Sequence, residues 1–381
     1  MAEKSNLKSL PDRMRDIRRS MREEYLLDHA KPWIIGFSGG KDSTLLAHLT
    51  FDTLLGVPFE LRKRRVYIVC NDTLVESPVF QQFVDRLLSK ISEAAEPLRV
   101  PITVFKTSPA ADESFWVNLL GRGYPAPNRT FRWCTDRMKI RPTSRFIREQ
   151  VANNGEAILL LGVRKAESSA RSANIARHES INGDRLSAHS DHKGVWIFSP
   201  IKDLSTEEVW LALLNSRPPW GGSYQELAAL YKDAHGGECP FVLSKDEAPS
   251  CGTNSARFGC WTCTVIEKDG SLQNLVASGH SHLAPLVEFR NRLRVVSEDP
   301  ACRSKTRRNG QPGLGPITPH VRKQLLDELL TIQQALNQEL ISDLEVRLIR
   351  EQWMRDSLED TWREIEKSQS PSVTEAGAPK I

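Results

Sequence analysis

Ser38-Gly39-Gly40-Lys41-Asp42-Ser43-Thr44 follows the apolar run Trp33-Ile34-Ile35-Gly36-Phe37 and precedes helical spacing over residues 45–55. Glycines at 39 and 40 let the backbone approach an anion closely and adopt conformations closed to other residues. The amides that open the following helix face that anion, with the helix dipole behind them. Lys41 adds a positive charge, and Ser38, Ser43 and Thr44 supply hydroxyl donors. The chemistry is phosphate binding. The spacing departs from the G-x-x-x-x-G-K-[ST] loop that cradles a nucleotide for γ-phosphate transfer.

A second set of reactive residues is sulfur. Cys251, Cys260 and Cys263 fall close together, the last two as Cys260-Trp261-Thr262-Cys263. A C-x-x-C pair puts two thiolates on one turn, and a third cysteine nearby argues against a solitary redox disulfide. Four thiolates suit a [4Fe–4S] cluster, and a tetrahedral Cys₄ site suits zinc as well. The best candidate for the fourth is Cys134, in Arg132-Trp133-Cys134-Thr135. Cys70 lies in an apolar run and reads as a core residue. Cys239 is a candidate sulfur-accepting thiol, and nothing singles out Cys302.

These residues need a scaffold. Apolar runs at 33–37, 66–70, 102–105, 157–161 and 195–198 predict strands, with helical spacing at 45–55 and 78–91 between them. Alternation of this kind predicts an α/β fold: a mostly parallel sheet with helices on both faces. Ligands then sit beyond the carboxyl ends of the strands, where the glycine loop, Asp72 and Gly162-Val163-Arg164 fall. Further helices are predicted at 321–336 and 340–355. The expected organisation is an α/β domain over 1–215 and a cysteine-rich segment over 216–300. A helical region over 301–367 and a disordered tail over 368–381 complete it.

Composition narrows the class. Of the 381 residues, 39% are hydrophobic and 26% charged, as in a soluble globular protein. No apolar run reaches the ~20 residues of a spanning helix, and residues 1–24 lack the apolar stretch of a secretory signal. The expectation is a cytoplasmic protein without a membrane partner. In that compartment the seven cysteines suit metal or redox chemistry better than disulfides. A net charge of +4 is too small to show nucleic-acid binding by itself. Local basic segments at 62–65 and 303–308 are the candidate DNA contacts.

The glycine loop resembles the S-G-G-x-D-S loop of the ATP pyrophosphatase superfamily, whose adenine nucleotide α-hydrolase-like fold is therefore implied. In that superfamily the loop binds the β- and γ-phosphates as leaving pyrophosphate while a substrate oxygen attacks the α-phosphorus. Asp72 matches a position where relatives contact nucleotide or Mg²⁺. The segment from Gly162 through Arg164 to Arg171 resembles the G-x-R-x-x-[EQ]-S-x-x-R segment of phosphoadenylyl-sulfate reductases. Arg164 and Arg171 would stabilise phosphate charge.

Together with the Arg132-Trp133-Cys134-Thr135 and Pro249-Ser250-Cys251-Gly252 segments, and Arg257-Phe258-Gly259-Cys260-Trp261-Thr262-Cys263, the chain resembles the DndC family of DNA phosphorothioation sulfurtransferases. That resemblance implies ATP with Mg²⁺ as substrate. It implies adenylylation of a DNA phosphate oxygen and replacement of a non-bridging oxygen by sulfur. It also implies a [4Fe–4S] cluster on Cys134, Cys251, Cys260 and Cys263. A cysteine desulfurase is the implied sulfur source, with other phosphorothioation proteins as partners. The competing readings are an adenylyl-sulfate or phosphoadenylyl-sulfate reductase, a tRNA thiolase, and a DNA-binding module that only senses nucleotide.

Overall fold

A computed structural model of the chain describes residues 8–165, 185–234, 236–238 and 256–369. Helix α1 (Leu10–Tyr25) comes first, followed by β1 (Trp33–Phe37), α2 (Lys41–Leu55), β2 (Val66–Asn71), α3 (Pro78–Ala95) and β3 (Ile102–Thr107). Helix α4 (Arg141–Asn154) leads into β4 (Ala157–Leu160), and β5 (Ser187–Ala188) and β6 (Val195–Phe198) complete the sheet.

The sheet order is β3-β2-β1-β4-β6-β5. All pairings are parallel except that of β5 with β6. Alternation along β1 explains why helices cover both faces. Trp33, Ile35 and Phe37 join the core beneath α2 and α3, whereas Ile34 joins Phe146 and Ile147 of α4 on the other face. This is the mostly parallel sheet with helices on both faces that the alternation of apolar runs predicted. Because β2 flanks β1 on one side and β4 on the other, the chain reverses its direction of winding there. Such a switch point opens a crevice at the carboxyl ends of the two strands.

Helix α1 is tied to the strand entrances by a buried ion pair. Arg64 Nη1 lies 2.9 Å from Glu24 Oε1, and the Trp33 indole N–H donates to Glu24 Oε2. The Tyr25 hydroxyl donates to the Arg64 carbonyl at 2.8 Å, and burial pushes it up to about 12.

Cα packing divides the chain into two compact units. One comprises Met1–Ala110 and Ala126–Arg294, and the other Ala111–Pro125 and Val295–Ile381. The first unit holds the sheet. In the second, Trp116 and Trp353 donate their indole N–H groups at 2.7 Å to the carbonyls of Leu340 and Leu120. Those bonds join the π-helical turn Val117–Gly121 to the helix Asp343–Gln369 and to the residues preceding it. The same unit carries a hairpin with bridges Arg303↔Ile317 and Thr306↔Pro312. Among the described residues no helix is long and apolar enough to cross a membrane.

Candidate functional site

The turn from β1 into α2 needs its glycines. Gly39 has φ +79°, and a Cβ there would overlap Val84 Cγ2 of α3. Hydroxyls lock the rest. Ser43 Oγ donates to the Gly40 carbonyl at 3.0 Å, Thr44 Oγ1 donates to the Gly39 carbonyl at 3.3 Å, and the Ser38 amide donates to Ser43 Oγ at 3.2 Å. The loop is held by its own polar side chains, which preorganises the amides at the start of α2.

The segment after β4 closes on this turn. A Cβ on Gly162 would stand 3.1 Å from the Asp42 carbonyl carbon and oxygen, so a larger residue would press on the loop backbone. Two residues on, the Arg164 guanidinium reaches the Asp42 carboxylate through Nε, and its Nη1 donates to Thr206 Oγ1 at 3.2 Å. Lys41 Nζ lies 2.6 Å from the other oxygen of Asp42. All three side chains are buried. Two cations thus meet at one carboxylate beside the helix N-terminus, and both are groups that a phosphate can pair with. The structure thus brings together Lys41, Asp42 and Arg164 with the glycine loop. It also gives Asp42 a specific task, holding the two cations. Arg171 lies outside the described residues.

Asp72 sits at the carboxyl end of β2, its Oδ1 accepting from the Leu74 amide at 2.9 Å and its Oδ2 facing Lys106 Nζ at 3.0 Å. The turn that follows carries the cysteine site. Glu76 bridges to Cys260, and the Trp261 amide donates to the Val75 carbonyl at 3.0 Å. Thr73 Oγ1 lies 3.3 Å from Cys260 Sγ and donates to Glu76 Oε1 at 2.8 Å. Burial pushes the Cys260 thiol up and Glu76 adds to the shift, while Lys139 opposes it.

Buried Trp261 anchors the Cys260–Cys263 turn against Phe289. The Cys263 amide donates to the Cys260 carbonyl at 3.0 Å. Arg290 caps the turn, its Nε donating to the Cys263 carbonyl at 2.9 Å. Two thiols on one pinned turn are the donor chemistry of half a thiolate cage. Among the described residues no group of three His, Cys, Asp or Glu side chains converges on a metal position. Cys134 is half-buried just before the π-helical turn Thr135–Ile140. Cys251 and Cys239 lie outside the described residues. Cys70 is a core residue whose thiol burial pushes up to about 12, and Cys302 Sγ lies 3.6 Å from Asp299 Oδ2.

The basic segments divide sharply. Arg62 donates to the carbonyls of Val57, Leu98, Arg99 and Leu55. Arg64 is consumed by Glu24, and buried Arg303 donates to the carbonyls of Gly315 and Ser297, both at 2.6 Å. These three arginines build the fold. Lys63, Arg65, Lys305, Arg307 and Arg308 are exposed.

Sequence reasoning missed Tyr231, whose hydroxyl accepts from the Lys41 amide at 3.2 Å and whose ring lies 5.7 Å from Lys41 Nζ. It also missed Thr73, Glu76 and Lys139 beside Cys260. A lone tyrosine on an amphipathic helix carries no motif. Thr73 and Glu76, however, follow Asp72 closely in the chain, and that adjacency was a usable signal.

The model of the phosphoadenosine phosphosulfate reductase domain matches residues 32–266. An uncharacterised protein of Methanocaldococcus jannaschii is 26% identical over 201 residues, which cover 51% of this chain and 34% of that protein. The chain thus spans about a third of the length of this relative. Among solved structures, phosphoadenylyl-sulfate reductase from Candida auris is 13% identical with a TM-score of 0.33, covering 56% of this chain and 88% of its own. The U34-tRNA thiolase of Methanococcus maripaludis, with its [4Fe–4S] cluster, is 14% identical with a TM-score of 0.30, covering 74% and 80%.

Proposed function

We propose that this chain, which belongs to the phosphoadenosine phosphosulfate reductase domain family, is an ATP-dependent sulfurtransferase acting on the DNA backbone. The observation that carries the ATP reading is the buried Lys41–Asp42–Arg164 group over the glycine loop at the sheet's switch point. ATP, with Mg²⁺, binds with its β- and γ-phosphates against the amides of α2 and the hydroxyls of Ser38, Ser43 and Thr44. A non-bridging oxygen of a DNA phosphate attacks the α-phosphorus. The new P–O bond forms as the α–β bridge breaks, and pyrophosphate leaves. Lys41 and Arg164 neutralise the charge that develops on the leaving group. Arg171 is proposed to share that task, and Asp72 to contact the nucleotide or its Mg²⁺.

The persulfide sulfur of a cysteine desulfurase, reduced to the sulfide level by an external dithiol that becomes a disulfide, then attacks the activated DNA phosphorus, and the P–S bond forms as AMP departs. DNA as substrate rests on the resemblance of the loop, the arginine segment and the cysteine segment to phosphorothioation sulfurtransferases. Cys134, Cys251, Cys260 and Cys263 are the proposed holders of a [4Fe–4S] cluster, which would supply sulfur-handling or electron-transfer chemistry. The paired thiols on the Cys260–Cys263 turn support this assignment.

Mass spectrometry of nuclease-digested DNA, from cells that also carry the other phosphorothioation proteins, tests the substrate. Phosphorothioate-linked dinucleotides are expected with the intact chain and absent with Lys41→Ala. If neither sample contains them, DNA is the wrong substrate. Thiolated bases in the tRNA of the same cells would then identify a tRNA thiolase. The family match also favours a second reading, reduction of an already activated sulfate; a reductase would release no pyrophosphate from ATP.

Cys260→Ser is expected to abolish the brown colour and bound iron of anaerobically purified protein; a colourless wild type containing zinc would sink the cluster. On the hairpin, the double change Lys305→Ala and Arg307→Ala is expected to flatten the salt dependence of DNA binding. The slope of log K against log salt should fall by about 2 if each side chain neutralises one phosphate. An unchanged slope would remove this hairpin from the DNA surface.

A further inference from the structure

We infer that Arg145 and Arg148, on the exposed face of α4, bind the sugar–phosphate backbone of duplex DNA. Between residues 129 and 148 the chain carries seven Lys and Arg against one Asp. That surplus exceeds the net charge of the whole chain, +4, so the remainder is acidic overall. The turn Thr135–Ile140 runs into α4 without a break, because Ile140 and Arg141 both keep helical dihedrals. Pro142, Thr143, Ser144, Phe146 and Ile147 are buried, while Arg141, Arg145 and Arg148 are exposed. The three arginines therefore form a stripe at i, i+4 and i+7 along one side of the helix.

Folding gives no reason for this stripe. Like charges three and four positions apart on a helix repel and destabilise it. Asp136 answers Arg141, its Oδ2 lying 3.0 Å from Nε and 2.9 Å from Nη2. Among the described residues neither Arg145 nor Arg148 forms an ion pair, even with Glu149 on the same helix. Arg148 Nε donates to the Ser144 carbonyl at 3.2 Å, a bond that uses one of its five donors. No exposed large apolar side chain among the described residues lies on α4, so the stripe lacks the apolar centre of a protein interface. A polyanion matches it instead, because guanidinium forks pair with phosphate whatever the base sequence. Arg145 and Arg148 stand ~4.5 Å apart along the helix axis. Each phosphate of one strand occupies about 3.4 Å of duplex axis, so the two can take neighbouring phosphates.

The same helix is fixed to the reaction site. Asn71 ends β2 next to Asp72, and its Nδ2 donates to the Met138 carbonyl at 3.0 Å. Cys134 precedes the turn, and Lys139 is among the charges that act on Cys260. A backbone held along the stripe is led toward the carboxyl ends of the strands, where the α-phosphorus of ATP must meet a DNA phosphate. The inference rests on the DNA reading of the function, and one titration separates the two. Binding of a short fluorescein-labelled DNA duplex by the whole chain is measured by anisotropy across a salt series. Wild type is compared with the double variant Arg145→Gln and Arg148→Gln. The slope of log K against log salt is expected to fall by about 2, and affinity by about tenfold or more. The melting temperature should hold or rise, since two repelling charges are gone.

If wild type binds no duplex, the DNA reading itself is wrong and the inference falls with it. Duplex binding by wild type, with an unchanged slope in the double variant, overturns only the role of α4. Arg15→Gln with Arg19→Gln removes two exposed cations of α1 and is expected to leave the slope unchanged. An equal fall there would make the effect one of net charge and overturn the assignment to α4. If tRNA binds through Arg145 and Arg148 while duplex DNA does not bind, the stripe holds RNA, and DNA as its partner is overturned.

Discussion

Lys41→Ala is expected to lower pyrophosphate release from ATP by about 10²–10³-fold, the usual loss on removing one preorganised charge stabiliser. In the intact site, Lys41 and Arg164 both face the Asp42 carboxylate. Without Lys41 the loop loses one of these two cations, and of the pair only Arg164 remains to offset the charge that appears when the α–β bond breaks. Folding should suffer little, because the Asp42 carboxylate keeps Arg164 as its partner. The measurement is coupled-assay pyrophosphate release with ATP, DNA and a sulfur donor, together with the iron content. Iron should stay at the wild-type level, because Thr73, Val75, Glu76, Phe289 and Arg290, which contact the Cys260–Cys263 turn, lie outside the loop. Release within threefold of wild type would show that the loop is not where ATP is cleaved. Parallel loss of iron would show that the two sites are one.

The elements that position this chemistry were legible where the signal is local. Trp33–Phe37 is a strand as predicted, because a fully apolar pentad ending at a glycine turn has few other solutions. The helix predicted over 340–355 runs instead as Asp343–Gln369. Residues 356–369 contain no glycine or proline to stop it, and the next breaker is Pro371. Non-local facts could not be read. The packing of Ala111–Pro125 with Val295–Ile381 depends on contacts across about two hundred positions of chain, and no periodicity records them. The two-residue β5 is too short to show alternation.

The site divides in the same way. Glycine at 39 and 162, the hydroxyls and the two cations announce themselves by type and spacing. The same rule misleads for arginine. Arg62, Arg64 and Arg303 stand in basic runs that suggest a solvent-facing polyanion surface, yet their guanidinium groups are spent on carbonyls and on Glu24. Five donors in a fixed fork make arginine as good at tying loop carbonyls together as at holding phosphate. Sequence cannot tell which, because the carbonyls come from distant turns. Tyr231 is the converse: a residue with no motif that tertiary packing delivers to the Lys41 amide.

The largest stability effect is expected from Arg164→Met. Arg164 and Asp42 are each 2% exposed, and the guanidinium also donates to Thr206 Oγ1 at 3.2 Å. Methionine fills a similar volume without charge. The change leaves Asp42 buried with only Lys41, and it strips Thr206 of a donor. Breaking one side of a buried pair costs about 3–5 kcal/mol, because the remaining charge has lost its compensation. The lower end is expected here, since Lys41 still faces the carboxylate at 2.6 Å. The measurement is the urea midpoint of the sheet-containing unit, read with the double variant Asp42→Asn and Arg164→Met. If the cost is an orphaned charge, removing that charge should restore part of the lost stability, and the cycle will be strongly non-additive. If the double variant is instead as unstable as the sum of the two single changes, the pair does not act as a unit. Arg164 would then be held for its contact with Thr206 and for the phosphate it faces, and the charge balance assigned to the loop would have to rest on Lys41 alone.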